Sequence, residues 1–224
     1  MNLLFLATVP VLVVIIYIYI KDKFDKEPKK LLFFNFLFGA TISVLVSTIL
    51  YYLYDLLLPH PNAMKVFHQF LKAFFMVALV EEFSKYLIVR FYAQPKKEFN
   101  EPLDGIIYAV MVSMGFAFVE NLLYVFKGGV NVALSRAFTA IPAHAVFAIL
   151  MGYFMGIAKF SKHKTKWNLI GLSLAILFHG SYDFFLFINF IPGITIGALI
   201  SLLVGVFLAK KAIIRLQNIS NFKP

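Results

Sequence analysis

The 224-residue sequence predicts an all-α fold, a polytopic transmembrane helical bundle of about seven spans with its N-terminus outside and its C-terminus cytoplasmic. Three observations predict it. Hydrophobic residues make up 61% of the chain and charged residues only 14%, with a mean hydropathy of +0.85, whereas a soluble domain is about half apolar. The apolar residues are gathered into seven runs, 2–20, 31–58, 73–91, 103–126, 137–160, 169–190 and 194–209, each bounded by charges, prolines or polar clusters. Most of these runs reach the ~17–25 residues that a membrane-spanning helix needs. Finally, the basic residues are distributed by side. Lys21, Lys23, Lys26, Lys29, Lys30, Arg90, Lys96, Lys97, Lys159, Lys162, Lys164, Lys166, Lys210, Lys211, Arg215 and Lys223 all fall on one side of a seven-span arrangement. Lys65, Lys72, Lys127 and Arg136 fall on the other. The positive-inside rule makes the first side cytoplasmic.

Each run has its own reading. Run 2–20 has no basic residue before it, positive charges after it and no small-x-small cleavage site, so it reads as a retained, reverse-oriented anchor and not as a signal peptide. Run 31–58 is longer than a span requires and is expected to tilt or to extend beyond the bilayer. Run 73–91 carries Glu81, Glu82 and Lys85 near its centre. Run 103–126 holds Glu120 and Asn121, and run 137–160 holds Pro142, His144 and the pair Gly152 and Gly156. Run 169–190 contains His179-Gly180-Ser181-Tyr182-Asp183. The last run is slightly short and carries a small-residue stripe every four residues, Gly193, Gly197, Ser201 and Gly205. Such stripes let helix backbones approach closely in lipid. No alternating ten-residue pattern points to a β-barrel. Short loops leave room for one bundle only, so residues 1–224 read as a single integral membrane domain. The net charge of +10 reports topology and contact with membrane lipids, not a nucleic-acid partner. The absence of cysteine excludes disulfides and a thiol nucleophile.

The intramembrane charges are the informative feature. A carboxylate at the centre of a span costs roughly 2.5–3.5 kcal/mol on insertion scales, and two adjacent ones repel each other. Glu81 and Lys85 are spaced i, i+4 and share a helix face, while Glu82 is turned about 100° away. A buried Glu81–Lys85 ion pair is the structural alternative, and it leaves Glu82 without a partner in its own helix. His179 and Asp183, also i, i+4, have the spacing of a carboxylate orienting an imidazole or of a pair of metal ligands. At ~1.5 Å per residue from the outer ends of the runs, Glu81 and Glu82 lie about 12–14 Å deep, Glu120 about 9 Å, His144 and Asp183 about 11 Å, and His179 about 17 Å. Four helices thus place polar groups in one layer of the outer half of the membrane, which predicts one shared, water-accessible cavity.

Glutamates with two histidines suit hydrolysis, with a carboxylate as general base on water. Glu120, His144 and His179 at one depth would also make a three-ligand Zn²⁺ site with an open fourth position. Serine chemistry is disfavoured, because Ser181 and His179 are i, i+2 and face apart, as do Ser84 and Lys85. The competing class is a proton- or cation-coupled transporter, against which stands the lack of repeat symmetry and of paired broken helices. A purely structural or signalling seven-span protein leaves the clustered acids unexplained.

Glu81-Glu82-Phe83-Ser84-Lys85, Phe116-Ala117-Phe118-Val119-Glu120-Asn121, Arg136 with Pro142 and His144, and His179-xxx-Asp183 occur in one order. This layout resembles the PrsW family of bacterial intramembrane proteases over about residues 73–190. It is similar, more distantly, to the type II CAAX prenyl endopeptidases. Relative to those, Lys85 replaces an arginine at a shorter spacing, and Glu120 stands where they have a histidine. The resemblance implies a plasma-membrane site-1 protease that cuts a single-span partner, a membrane-anchored anti-sigma factor, in its extracytoplasmic part, so that a second intramembrane protease can complete release of the sigma factor. The site expected between spans 3, 4, 5 and 6 has Glu81 or Glu82 as general base and Glu120, His144 and His179 as the water- or metal-binding centre. Asp183 orients His179, and Asn121 donates to the oxyanion.

Overall fold

A computed structural model describes residues 2–58 and 61–223. Among them the chain forms seven consecutive helical segments and no strand. Helix α1 (Leu3–Lys21) begins where the Asn2 side chain accepts from the Leu4 amide at 3.0 Å, which satisfies one of the free N–H groups of the first turn. Helix α2 (Lys29–Leu57) contains a π-helical turn at Gly39–Ser43. Helix α3 (residues 66–93) has two such turns, Lys72–Ala78 and Val89–Ala93, on either side of the regular stretch Leu79–Ile88.

Helix α4 (Pro102–Phe138) starts with a capping box between Glu101 and Asp104 and with proline in its first turn, a position where the missing N–H costs nothing. At Gly129 (φ 70°, ψ −157°) the chain leaves helical geometry and turns. That φ lies in the region glycine adopts at little cost, and the segment beyond it folds back so that Arg136 reaches Glu120. Helices α5 (Ala140–Phe160), α6 (Lys164–Phe187) and α7 (Ile196–Asn218) complete the chain. By length and hydropathy five described stretches are able to cross a membrane: Leu3–Lys21, Lys29–Leu57, Pro102–Phe160, Lys164–Phe187 and Ile196–Asn218. The 59-residue stretch contains both α4 and α5. Helix α3 is outside this set because charges, Glu81, Glu82 and Lys85 with Lys72 and Arg90, interrupt its apolar run.

The centre of the bundle is the first half of α4 against α5. Residues 103–117 of α4 are buried throughout, as is most of α5 between Ile141 and Ala158. Glycines permit the contact. A Cβ on Gly152 would lie 2.4 Å from the Gly105 carbonyl oxygen, and one on Gly156 would lie 1.9 Å from that of Pro102. The Gly152/Gly156 pair therefore does what small residues do between membrane helices, where close backbone approach replaces the hydrophobic driving force. Helix α2 crosses α4 in the same way, with Gly39 against the Val112 carbonyl and Gly115 against that of Phe36.

The segments after α1, α3, α5 and α7 and before α2, α4 and α6 meet at one end of the bundle. Asn100 donates to Asp25 at 2.8 Å, Lys159 to the Lys96 carbonyl at 3.0 Å, Gln94 to Asn168 at 3.0 Å, and Gln217 to the Lys21 carbonyl at 2.5 Å. Ser220 donates to Glu101. The basic segments that the sequence places on one side thus share one end. This end also buries the Glu27 carboxylate, which accepts from the Tyr108 hydroxyl. Burial, followed by the neighbouring Asp104, pushes the Glu27 carboxyl up to about 10.

Candidate active site

The π turn of α2 hands on to a helix whose positions Ser43, Ser47 and Tyr51 repeat every four residues and face α3. Ser43 and Ser47 contact the Ser84 hydroxyl at 2.6 and 3.0 Å, and the Tyr51 hydroxyl donates to Glu81 Oε1 at 2.7 Å. A π turn adds a residue and rotates the face that follows, a device frequent at functional sites. Here it lets one polar stripe follow the regular segment of α3. On that segment Val80, Glu81, Glu82, Ser84, Lys85 and Ile88 are all buried.

Glu82 is fully enclosed. Its Oε1 accepts from the Lys85 ammonium at 2.7 Å and from His179 Nδ1 at 2.8 Å. His179 Nε2 lies 3.4 Å from Asp183 Oδ2, so the i, i+4 pair of α6 shares a face as the spacing predicts. The Phe147 ring stacks on His179 with centroids 4.8 Å apart and limits the tilt of the imidazole. A second arm comes from α4 and α5. His144 Nε2 and Arg136 Nη2 both reach Glu120 Oε2, at 2.9 and 2.8 Å. Lys85 Nζ joins the two arms, 3.3 Å from His144 Nδ1, and the histidine ring centroids are 5.6 Å apart. Glu81, Glu82, Glu120, His144, His179 and Asp183 are therefore assembled into one group, as the common depth on four helices predicts.

Two expectations change. The i, i+4 spacing favours Lys85 on Glu81, but the ammonium stands 3.8 Å from Glu81 Oε2 and 2.7 Å from Glu82. The four-carbon stem of lysine reaches i−3 as readily as i−4, and Tyr51 already holds Glu81. Asn121, expected at the oxyanion, is turned away from the acid pair. Its amide donates to the Ala7 carbonyl of α1 at 2.9 Å and accepts from Arg136 Nε at 2.8 Å. It secures α1 and the returning end of α4. Tyr51 escapes the sequence reading, although a polar position every four residues in run 31–58 carries its signal.

A cavity of about 690 Å³ lies beside this group, lined by Tyr51, Glu81, Phe116, Glu120, Arg136, His144, His179 and Asp183, with apolar walls from α2, α4 and α7. Glu82 and Lys85 do not line it. Glu81 does, and its Oε2 makes no hydrogen bond. That oxygen is enclosed, 3.8 Å from Lys85 Nζ, so it is the Glu81 carboxylate as a whole, at the wall of a polar-lined cavity, that has the placement of a general base toward water.

The donor set expected for Zn²⁺ does not converge in this arrangement. Both nitrogens of His144 are taken by Lys85 and Glu120, both nitrogens of His179 face Glu82 and Asp183, and Glu120 is also held by Arg136. Among the described residues no group of three His, Cys, Asp or Glu side chains is placed to hold a metal ion. As they stand, these residues do not fit a bound zinc, which needs its imidazole and carboxylate lone pairs turned to one point.

Fold and site define a multi-pass helical membrane protein with a glutamate–histidine centre buried among four helices and open to a cavity. Its family follows from comparison with known sequences. Residues 27–210 match the family described as PrsW family intramembrane metalloprotease, and the chain belongs to that family. It is 37% identical over 198 residues to the Protease PrsW of Clostridioides difficile, a match covering 85% of this chain and 81% of that protein. To the Protease PrsW of Shouchella clausii it is 34% identical over 187 residues, 83% of each chain. With the Halalkalibacterium halodurans protein of the same name the identity is 44% over 114 residues, and this match spans about half of either protein, 50% of this chain and 53% of the relative. No solved structure matches the chain.

Proposed function

We propose that the chain is an intramembrane endopeptidase that cleaves a single-span membrane protein, an anti-sigma factor, in its extracytoplasmic part and so starts sigma-factor release. One observation carries the chemistry: Glu81, one of whose carboxylate oxygens makes no hydrogen bond, lies on the wall of the same cavity that Glu120, His144, His179 and Asp183 line. The class of reaction is supported by the named proteases with which the chain shares its family. The seven-span topology with an external N-terminus is supported by the shared end at which the basic segments meet, and the site then lies in the outer half of the membrane.

Every step falls to the chain's own residues. The Glu81 carboxylate takes a proton from a water in the cavity while the water oxygen bonds to the scissile carbonyl carbon. Tyr51 donates to Glu81 Oε1 and so fixes the carboxylate at the cavity wall. His179, fixed by Glu82 and the Phe147 ring, and His144 hold Asp183 and Glu120 at the cavity wall, where these carboxylates accept from the water and orient it. When the C–N bond breaks, the proton on Glu81 passes to the leaving amine. Low-dielectric surroundings strengthen each of these interactions.

The test is cleavage by the purified protein, reconstituted in liposomes with a single-span anti-sigma factor, with the cut mapped by mass spectrometry. The proposal expects one cut within the outer third of the substrate's span or just outside it. A cut on the cytoplasmic side, or no cleavage of any single-span substrate by folded protein, overturns it.

A further inference from the structure

Lys85 is a fully buried ammonium with a defined set of neighbours. Its Nζ stands 2.7 Å from Glu82 Oε1, 3.3 Å from His144 Nδ1, 3.8 Å from Glu81 Oε2 and 4.5 Å from the centre of the Phe116 ring. These neighbours come from α3, α4 and α5, and they include one member of each arm of the site. A lysine ammonium has three donors and no acceptor. His144 Nδ1 must therefore present a lone pair to it, and the ring proton stands on Nε2, from which it is donated to Glu120 Oε2 at 2.9 Å. The same ammonium faces both carboxylates of the acid pair from one point. The Phe116 face takes the place of water on another side, since an aromatic face attracts a desolvated cation.

We propose that Lys85 is a positioning residue for the reaction: its ammonium is the fixed internal cation that joins the Glu81–Glu82 pair to the Glu120–His144 arm and dictates which nitrogen of His144 carries the proton. It does not line the cavity, so it acts through these partners and does not touch substrate. The inference rests on the reading of this group as the proteolytic site. It also accounts for the donor set: with a lysine cation at the junction, the histidine and glutamate lone pairs turn to Lys85 and to each other.

The test exploits the shape of the side chain. Lys85→Ala removes three carbons and one nitrogen, which is the size of n-propylammonium, and Glu81 and His144 give the vacated space a wall onto the cavity. The expected result is a fall in kcat of about 100-fold or more with KM little changed, because a misplacement of about 1 Å costs on that order. n-Propylammonium in the assay restores a large part of kcat, and neutral 1-propanol, which fills the same volume, does not. In [¹⁵N]histidine-labelled protein, the His144 Nδ1 signal leaves the position of a hydrogen-bonded lone-pair nitrogen in Lys85→Ala and returns with the amine. Equal rescue by propanol, or an unchanged His144 signature, overturns the proposal. Where Lys85→Ala does not fold, Lys85→Met/Glu82→Gln removes both charges and keeps the volume. An unchanged His144 signature in that variant, relative to Glu82→Gln alone, overturns the proposal equally. Full activity of Glu81→Gln alongside the expected Lys85 behaviour would instead sink only the assignment of the base.

Discussion

Replacing Glu82 by glutamine separates the two members of the acid pair. The Glu82 carboxylate is fully enclosed and accepts from the Lys85 ammonium at 2.7 Å and from His179 Nδ1 at 2.8 Å. Glutamine keeps the shape but removes the charge, and leaves Lys85 with its nearest carboxylate at 3.8 Å on Glu81. Breaking a buried ion pair from one side costs about 3–5 kcal/mol, because the surviving charge stays desolvated. Glu81→Gln loses less, on the order of 1–2 kcal/mol, since Tyr51 can still donate to the amide oxygen and the other oxygen makes no hydrogen bond to lose, with Lys85 at 3.8 Å. The assay is equilibrium unfolding in mixed micelles for wild type, the two single variants and Lys85→Met/Glu82→Gln. The double variant should regain much of the loss, as it removes both charges together. A Glu82→Gln protein as stable as Glu81→Gln, or a double variant less stable than Glu82→Gln alone, would refute this account of the pair.

Glu27, at the end of the bundle away from the site, is pushed up to about 10 from an ordinary 4.5 by burial and by Asp104. A raised carboxyl stabilises the fold in its protonated form, so its contribution is full below pH 4.5 and is lost as pH climbs toward 10. Glu27→Gln should therefore flatten the fall in stability between pH 6 and pH 10, about the range bracketed by these values, when unfolding midpoints are compared across pH; an unchanged slope would contradict it. Tyr51→Phe removes the donor to Glu81 Oε1 and should lower kcat by about tenfold, with KM and the unfolding midpoint nearly unchanged; steady-state kinetics on the reconstituted enzyme would show it. Cysteines placed one at a time at Asn62, Gly129 and Lys164 in this cysteine-free chain should be labelled from outside intact cells at positions 62 and 129 and protected at 164. The opposite pattern reverses the topology.

The helices were legible because lipid selects long apolar runs, and each of the seven runs lies within or overlaps one of the observed helices. The π turns in α2 and α3 were not legible, since they arise from inter-helix registration and not from residue type. Depth counted along straight helices still brought Glu81, Glu82, Glu120, His144, His179 and Asp183 together, because polar groups with no water to turn to must meet each other. Spacing within one helix proved a weaker guide than packing. Lys85 chose Glu82 over Glu81, and Asn121 is taken by Ala7 of α1 and by Arg136, which the fold-back at Gly129 returns to it and of which run 103–126 gives no sign. Tyr51 was hidden because tyrosine near the end of an apolar run reads as an interface anchor. Glu27, Glu101 and Asp104 drew no reading from the sequence, yet all three are buried where the segments at that end of the bundle meet.

Single-turnover cleavage of a reconstituted single-span substrate by wild-type and Glu81→Gln protein, each shown to be folded, tests the central claim most directly. With Glu81 as the base that activates water, the variant should bind substrate normally and cleave it about 10²–10⁴-fold more slowly. Cleavage by Glu81→Gln at the wild-type rate would contradict the account.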